Sequence, residues 1–171
     1  MANRRLVLAG VAGILAVATA LMGVALATPG SGVTATVVAR GAFADPTDIK
    51  FKVDTQGEEV IHAPNARDTV MQQIIIGPGG HTGWHSHPGP VVVVVTGGAL
   101  TFYSSEDPAC TPRIYSAGQA FIDRGQGHVH IARNESMTEN LVLWATYFDV
   151  PPPPPATNFR IDVPAPGNCP F

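Results

Sequence analysis

Charge is the first thing this sequence has little of. Of its 171 residues only 13% are Asp, Glu, Lys or Arg, and the formal net charge is -3. Without a basic excess there is no electrostatic footprint for nucleic acid, which excludes such partners. No glycine loop followed by lysine is present to cradle phosphate. No Ser-His-Asp order or Cys-His arrangement points to nucleophilic catalysis. Carboxylates near the histidine-rich stretches are also few: Asp123 and Glu135 stand there without an evident partner, which argues against paired-carboxylate acid-base chemistry. Beyond the N-terminal leader no segment shows a long helical period. What remains is one domain's length of chain, enough for a substantial core.

The leader itself is informative. Met-Ala-Asn-Arg-Arg is positive and precedes an uncharged stretch over 6–27, which ends in the small-x-small pattern Ala25-Leu26-Ala27. This predicts an apolar export helix, either a secretory signal over 1–27 with a mature start at Thr28 or an uncleaved membrane anchor. The stretch is 22 residues long, enough to span a bilayer. Either way the folded part lies outside the cytoplasm, because the arginines stay inside. If the leader is removed, the ten basic residues fall to eight against thirteen acidic ones, a formal charge of -5. In an oxidising compartment the only two cysteines, Cys110 and Cys169, are expected to pair and tie the C-terminal tail to the loop over 104–112.

Short β-rich runs punctuated by 18 glycines and 16 prolines predict an all-β sandwich or barrel. Strands are expected over 33–38, 49–53, 70–76, 91–96, 100–103, 113–116, 120–122, 128–132 and 141–148. Gly97-Gly98 between two of them reads as a tight hairpin. The valines over 91–95 have no polar alternation, which predicts a strand covered on both faces. Val91, Val93 and Val95 share parity with His85 and His87 and are placed inside as an apolar floor. Trp84, Phe102, Phe121 and Tyr147 are candidate lining groups. The five prolines over 151–155 predict a stiff, extended connector, with 156–171 lying along the outside.

Two stretches carry the chemistry. His85 and His87 stand two apart, so on a strand both imidazoles project one way, as two ligands of one metal ion do, with a third arriving from another strand. The stretch over 118–134 contains His128, His130 and Asn134.

Together the two stretches resemble the cupin superfamily. Its first motif is Gly, five residues, His-x-His, three or four residues, Glu, six residues, Gly. Gly79, His85, His87 and Gly98 fit it, with Val91 at the Glu position. The second motif runs Gly, five residues, Pro-x-Gly, two residues, His, three residues, Asn. Gly127, His130 and Asn134 fit it; Gly118 fits with one extra residue, and Gly125 stands where proline is usual. The resemblance covers 70–150.

It implies a double-stranded β-helix, or jelly-roll barrel, over 28–150, followed by a Pro-rich connector and tail over 151–171. It implies a metal site of His85, His87 and His130, one carboxylate short, and a homodimer through sheet edges. Asn134 is expected to fix backbone turns by hydrogen bonds. His128 is expected nearer the rim and solvated, the alternatives being a fourth ligand or a general base. His62 and His81 are read as surface residues.

Three neutral nitrogen ligands leave coordination positions open, and imidazole suits Fe, Zn, Ni and Cu, with Mn also in the set considered. Without a carboxylate, a divalent ion keeps its full charge in an apolar cavity. It would attract an anionic or enolisable oxygen chelator, or lower the pKa of bound water. The expected function is a metal-dependent, dioxygenase-like enzyme acting on a small molecule. The alternative is a non-catalytic cupin that captures a small molecule in the barrel.

Overall fold

The computed structural model describes residues 27–54 and 58–171. All but the last residue of the expected export helix lies outside that range. Among the described residues there is no helix, and so none long and apolar enough to cross a membrane.

The described chain folds into two antiparallel sheets. One orders β1 (Ser31–Ala42), β4 (Asp68–His81), β11 (Leu141–Val150), β6 (Val91–Gly97) and β9 (Ala120–Asp123). The other orders β8 (Arg113–Ser116), β7 (Ala99–Ser104), β10 (His130–Arg133), β5 (His85–Ser86) and β12 (Ile161–Asp162). The pairing of Arg133 with His81 joins β10 to β4 and nearly closes the barrel. A separate hairpin is formed by β2 (Ile49–Asp54) and β3 (Glu58–Ala63).

Alternation decides which face is buried. Along β11, Leu141, Leu143, Ala145 and Tyr147 point inward and are buried, while Val142, Trp144 and Thr146 are half-buried on the other face. They join Val70, Ile74 and Ile76 of β4 and Leu100, Phe102 and Ala132 of the opposite sheet in one core. Burying an aliphatic or aromatic side chain of this kind stabilises the fold by about 1.5–3 kcal/mol each. β6 corrects an expectation. Val91, Val93 and Val95 are buried as their parity predicts, but Val92 is half-buried and Val94 is 38% exposed, so this strand is covered on one face only.

Gly97-Gly98 makes a corner instead of a hairpin. Both edges of β6 are occupied, by β11 and β9, so β7 cannot pair with it and crosses to the other sheet. Gly98 takes φ 72°, and a Cβ there would lie 2.7 Å from the carbonyl oxygen of Asn140. The departure at Gly125 has a similar cause. Its φ is 59° and its backbone crosses against the Gly89 carbonyl; proline, locked near φ -65°, cannot take that shape.

The C-terminal tail is part of the barrel. After Pro151 the chain bends and turns, with Arg40 holding it through the carbonyls of Pro151 at 2.6 Å and Ala156 at 3.2 Å. Phe159 then enters the core against Tyr147, with ring centroids 4.9 Å apart. Ile161 and Asp162 add β12 to β5, opposite Ser86 and His85. Cys110 and Cys169 form the expected disulfide, with their Cα atoms 5.3 Å apart. Trp84 packs with Ile131 and Cys169 in a second cluster under the tail, so it does not line the interior.

Candidate metal centre

Antiparallel pairing brings the two histidine motifs together. His85 begins β5 and lies directly opposite His130, the first residue of β10, while His87 follows one residue beyond β5. The three side chains offer ligand nitrogens that all lie within 4.8 Å of one another, and each residue is about 95% buried, at 4%, 5% and 4% exposure. The sequence-predicted trio therefore converges.

Backbone carbonyls aim two of the rings. His85 Nδ1 lies 2.8 Å from the Gly83 oxygen and His87 Nδ1 lies 2.7 Å from the Phe159 oxygen. A carbonyl only accepts, so each Nδ1 carries the proton and each Nε2 keeps its lone pair for the centre. The Phe159 carbonyl comes from the tail, which gives 151–171 a direct part in the site. His130 lies flat on Phe102, with ring centroids 4.9 Å apart and planes 19° from parallel.

The same burial keeps the rings neutral. It holds the His85 and His130 pKa values below the ordinary value, His85 well below, and brings His87 down to about 4, the neighbouring imidazoles adding to the effect on His85 and His87. Neutral imidazoles that cannot easily take a proton are what a metal ion needs as ligands. Burial likewise pushes the Tyr147 hydroxyl far up, and it donates to Gln72 Oε1 at 2.9 Å.

Asp123, unpartnered on the sequence reading, is the surprise of the site. Its side chain is 2% exposed. Oδ1 accepts from His128 Nδ1 at 3.1 Å and from the Gly125 backbone N–H at 3.3 Å. Oδ2 lies 3.5 Å from His130 Nδ1 and 3.8 Å from His87 Nε2. Oδ2 and His130 Nδ1 are both buried without a hydrogen-bond partner among the described residues. Desolvation opposes ionisation of Asp123, but the positive charge that His130 and His87 carry when protonated, together with the His128 hydrogen bond, outweighs it and holds the carboxyl well below the usual carboxylate range.

His128 lies at the rim as expected, lining the outer cleft, but it is not solvated. Its side chain is 10% exposed, and Nε2 meets the Ser104 hydroxyl at 2.8 Å, which makes a Ser104–His128–Asp123 chain. The glycine turn at 125–127 brings Asp123 and His128 together, so strand parity gave no signal for the pair. Glu135 does have a partner, Arg133 at 2.7 Å. Asn134 behaves as expected: Nδ2 donates to the carbonyls of Ile76, Gly77 and Glu139 at 2.8–3.1 Å, and Oδ1 accepts from the Ser136 N–H. His81 and His62 stay out of the cluster, His81 accepting from the Gly83 N–H and His62 lying on the separate hairpin.

Inside the barrel, His85, His130, Asp123, Val91, Val93 and Tyr147 border a cavity of about 40 Å³. Phe102, Phe121 and Asp123 separate it from an outer cleft of about 330 Å³ that Ser104 and His128 also line. Val91 and Val93 supply the expected valine floor, while Val95 is buried in the core without bordering the cavity. Three neutral imidazoles and an anionic carboxylate, with His130 Nδ1 and Asp123 Oδ2 among them lacking a hydrogen-bond partner among the described residues, are a donor set that fits a divalent ion.

No family model matches the chain, and no curated protein matches it. Among solved structures, it is similar to a cupin-like protein from Thermotoga maritima at 28% identity, over 46% of this chain and 55% of that one, with TM-score 0.40. It is also similar to an oxalate oxidase at 23% identity, over 47% and 41%, with TM-score 0.40. A polyketide cyclase from Streptomyces resistomycificus aligns at 16% identity, over 56% and 60%, with TM-score 0.44. The chain thus spans about half the length of the solved structures it matches. With its two motifs set on adjoining strands inside a nearly closed barrel, the chain has the arrangement that its resemblance to the cupin superfamily implies.

Proposed function

We propose that the chain is an exported metallo-cupin that holds a divalent ion on His85, His87 and His130 and performs dioxygenase-like chemistry on a small molecule that binds through oxygen. The observation that carries this reading is the convergence of three buried imidazoles, two of them fixed by backbone carbonyls so that Nε2 stays free. A bound divalent ion supplies a Lewis acid with coordination positions left open. The chain's own residues do the rest. Gly83 and Phe159 orient ligand rings, and Val91, Val93 and Tyr147 keep bulk water away from them. At about 40 Å³ the interior has room for about one water molecule, so a reacting group enters it while the body of a substrate rests in one of two adjoining clefts. One, of about 330 Å³, is lined by Phe102, Phe121 and His128, and the other, of about 340 Å³, by His85, Tyr147 and Arg160. Export is supported by the leader over 1–27 and by the Cys110–Cys169 bond.

The test is dioxygen consumption by iron-loaded protein across a panel of small enolisable oxygen chelators, alongside the H85A/H87A double variant. Consumption that disappears in the double variant supports the reading. No consumption, together with ligand-induced thermal stabilisation that survives in H85A/H87A, would replace it with a binding protein. Mass analysis of the exported chain then distinguishes a mature start at Thr28 from a retained anchor.

A further inference from the structure

The barrel's strand register answers the question that Val91 raises. Val91 of β6, standing where the resemblance expects a glutamate, lies directly opposite Asp123 of β9. Directly opposed residues of an antiparallel pair share a face, with their Cβ atoms about 5 Å apart. Both are buried and both border the interior cavity. A carboxylate thus enters the barrel one strand away from where the first motif would put it.

Its two oxygens are held differently. Oδ1 is fully engaged by His128 Nδ1 and the Gly125 N–H, whereas Oδ2 is buried with no hydrogen-bond partner among the described residues. Oδ2 points at His130 Nδ1, which also has none, from 3.5 Å, and lies 3.8 Å from His87 Nε2. Two donors each about 2.1 Å from a tetrahedral ion are about 3.4 Å apart, so these two gaps are close to ligand-to-ligand spacings. Asp123, His128 and His130 also form a group of their own, with candidate ligand atoms within 4.8 Å of one another, that shares His130 with the trio. A buried anionic oxygen with no donor is costly unless a cation lies against it. An acceptor-only carboxylate also fixes the His128 tautomer: Nδ1–H donates to Asp123, and Nε2 accepts from the Ser104 hydroxyl. The Ser104 oxygen in turn accepts from the Glu106 N–H at 3.1 Å.

We propose that Asp123 is the carboxylate ligand of the metal centre, entering from β9 in place of the glutamate absent at Val91, with His128 and Ser104 as positioning residues that hold its other oxygen. This rests on the three-imidazole reading and deepens it. The ligand set becomes three nitrogens and one oxygen, which admits Mn as readily as the imidazole-favoured ions. The carboxylate also offsets one of the ion's two charges. The centre then favours neutral or singly anionic oxygen chelators over more highly charged ones.

Metal-free protein titrated with Co(II), followed by its visible absorption, separates the two readings. Wild type is expected to bind one Co(II) per chain. D123N should bind at least about tenfold more weakly with an altered spectrum, and H128A should show a smaller loss. V91E/D123N, which moves the carboxylate back across the ladder, should recover tight binding. Metal-free D123N should melt close to wild type, since the Asn side-chain oxygen can still accept from the Gly125 N–H and His128 Nδ1. A lower metal-free melting temperature with unchanged Co(II) affinity would instead make Asp123 a structural partner of His128 and overturn the proposal. If D123N keeps wild-type affinity and spectrum while H87A loses the ion, Asp123 is not a ligand and the three-imidazole reading survives. If wild type takes up no Co(II), both fall. Should D123N not fold, a cobalt-loaded wild-type crystal decides: an ion about 2.2 Å from Oδ2 supports the assignment, and one beyond about 3.5 Å overturns it.

Discussion

Removing the disulfide tests how the tail, the barrel and the site are joined. In the double variant C110S/C169S the covalent link spanning 59 residues is lost. On the chain-entropy account, closing a loop of that size disfavours the unfolded ensemble by about 4 kcal/mol. For a domain of this length, each kcal/mol moves the melting temperature by about 2–4 °C, so a fall of roughly 10 °C is expected. The consequence reaches the histidines. Cys169 packs on Trp84 and Ile131, β12 pairs with β5, and the carbonyl of Phe159 holds His87 Nδ1. A loosened tail therefore frees the His87 ring, and metal affinity should fall by about tenfold, as it does when such orienting partners are lost. Calorimetry on metal-free protein measures the first effect, and competition with a chromophoric chelator measures the second. A variant melting within about 2 °C of wild type would refute the reasoning.

Other consequences follow from single residues. Placing the family's usual proline at Gly125, as G125P, should cost about 3 kcal/mol or more, or prevent folding, because φ there is 59°; urea denaturation measures it, and a stable variant would contradict the backbone description. N134A leaves the carbonyls of Ile76, Gly77 and Glu139 without their donor and should cost about 2–4 kcal/mol, while metal bound per folded chain stays unchanged. The metal-free protein should also lose stability in acid. His87 titrates near 6.5 when unfolded and about 4 when folded, so between these values the unfolded state binds more protons. This contribution, about 3 kcal/mol for His87 alone, is complete above pH 6.5 and lost as pH falls through 4. Urea midpoints that stay flat across this window would mean the ring is not held neutral by burial.

The parts of the fold legible in the sequence were those set by local pattern. Period-two alternation placed Val91, Val93 and Val95 inside, and the His-x-His spacing with the second motif picked out the three imidazoles. What failed depended on pairing between distant segments. Gly97-Gly98 has the composition of a hairpin, yet which strands flank β6 decides that it is a corner. The tail's proline run gave no sign that Phe159 would return to the core, because Arg40, more than a hundred residues earlier, fixes its course. Asp123 was passed over for the same reason: its opposition to Val91 is a matter of register, and its contact with His128 depends on a glycine turn.

The most direct measurement is the metal content of folded protein purified without affinity metals, then dialysed against a divalent ion and washed. One tightly held ion per chain, absent from H85A/H87A, is the predicted result. Trace metal with no uptake, or an equal amount retained by the double variant, would contradict the three-imidazole centre.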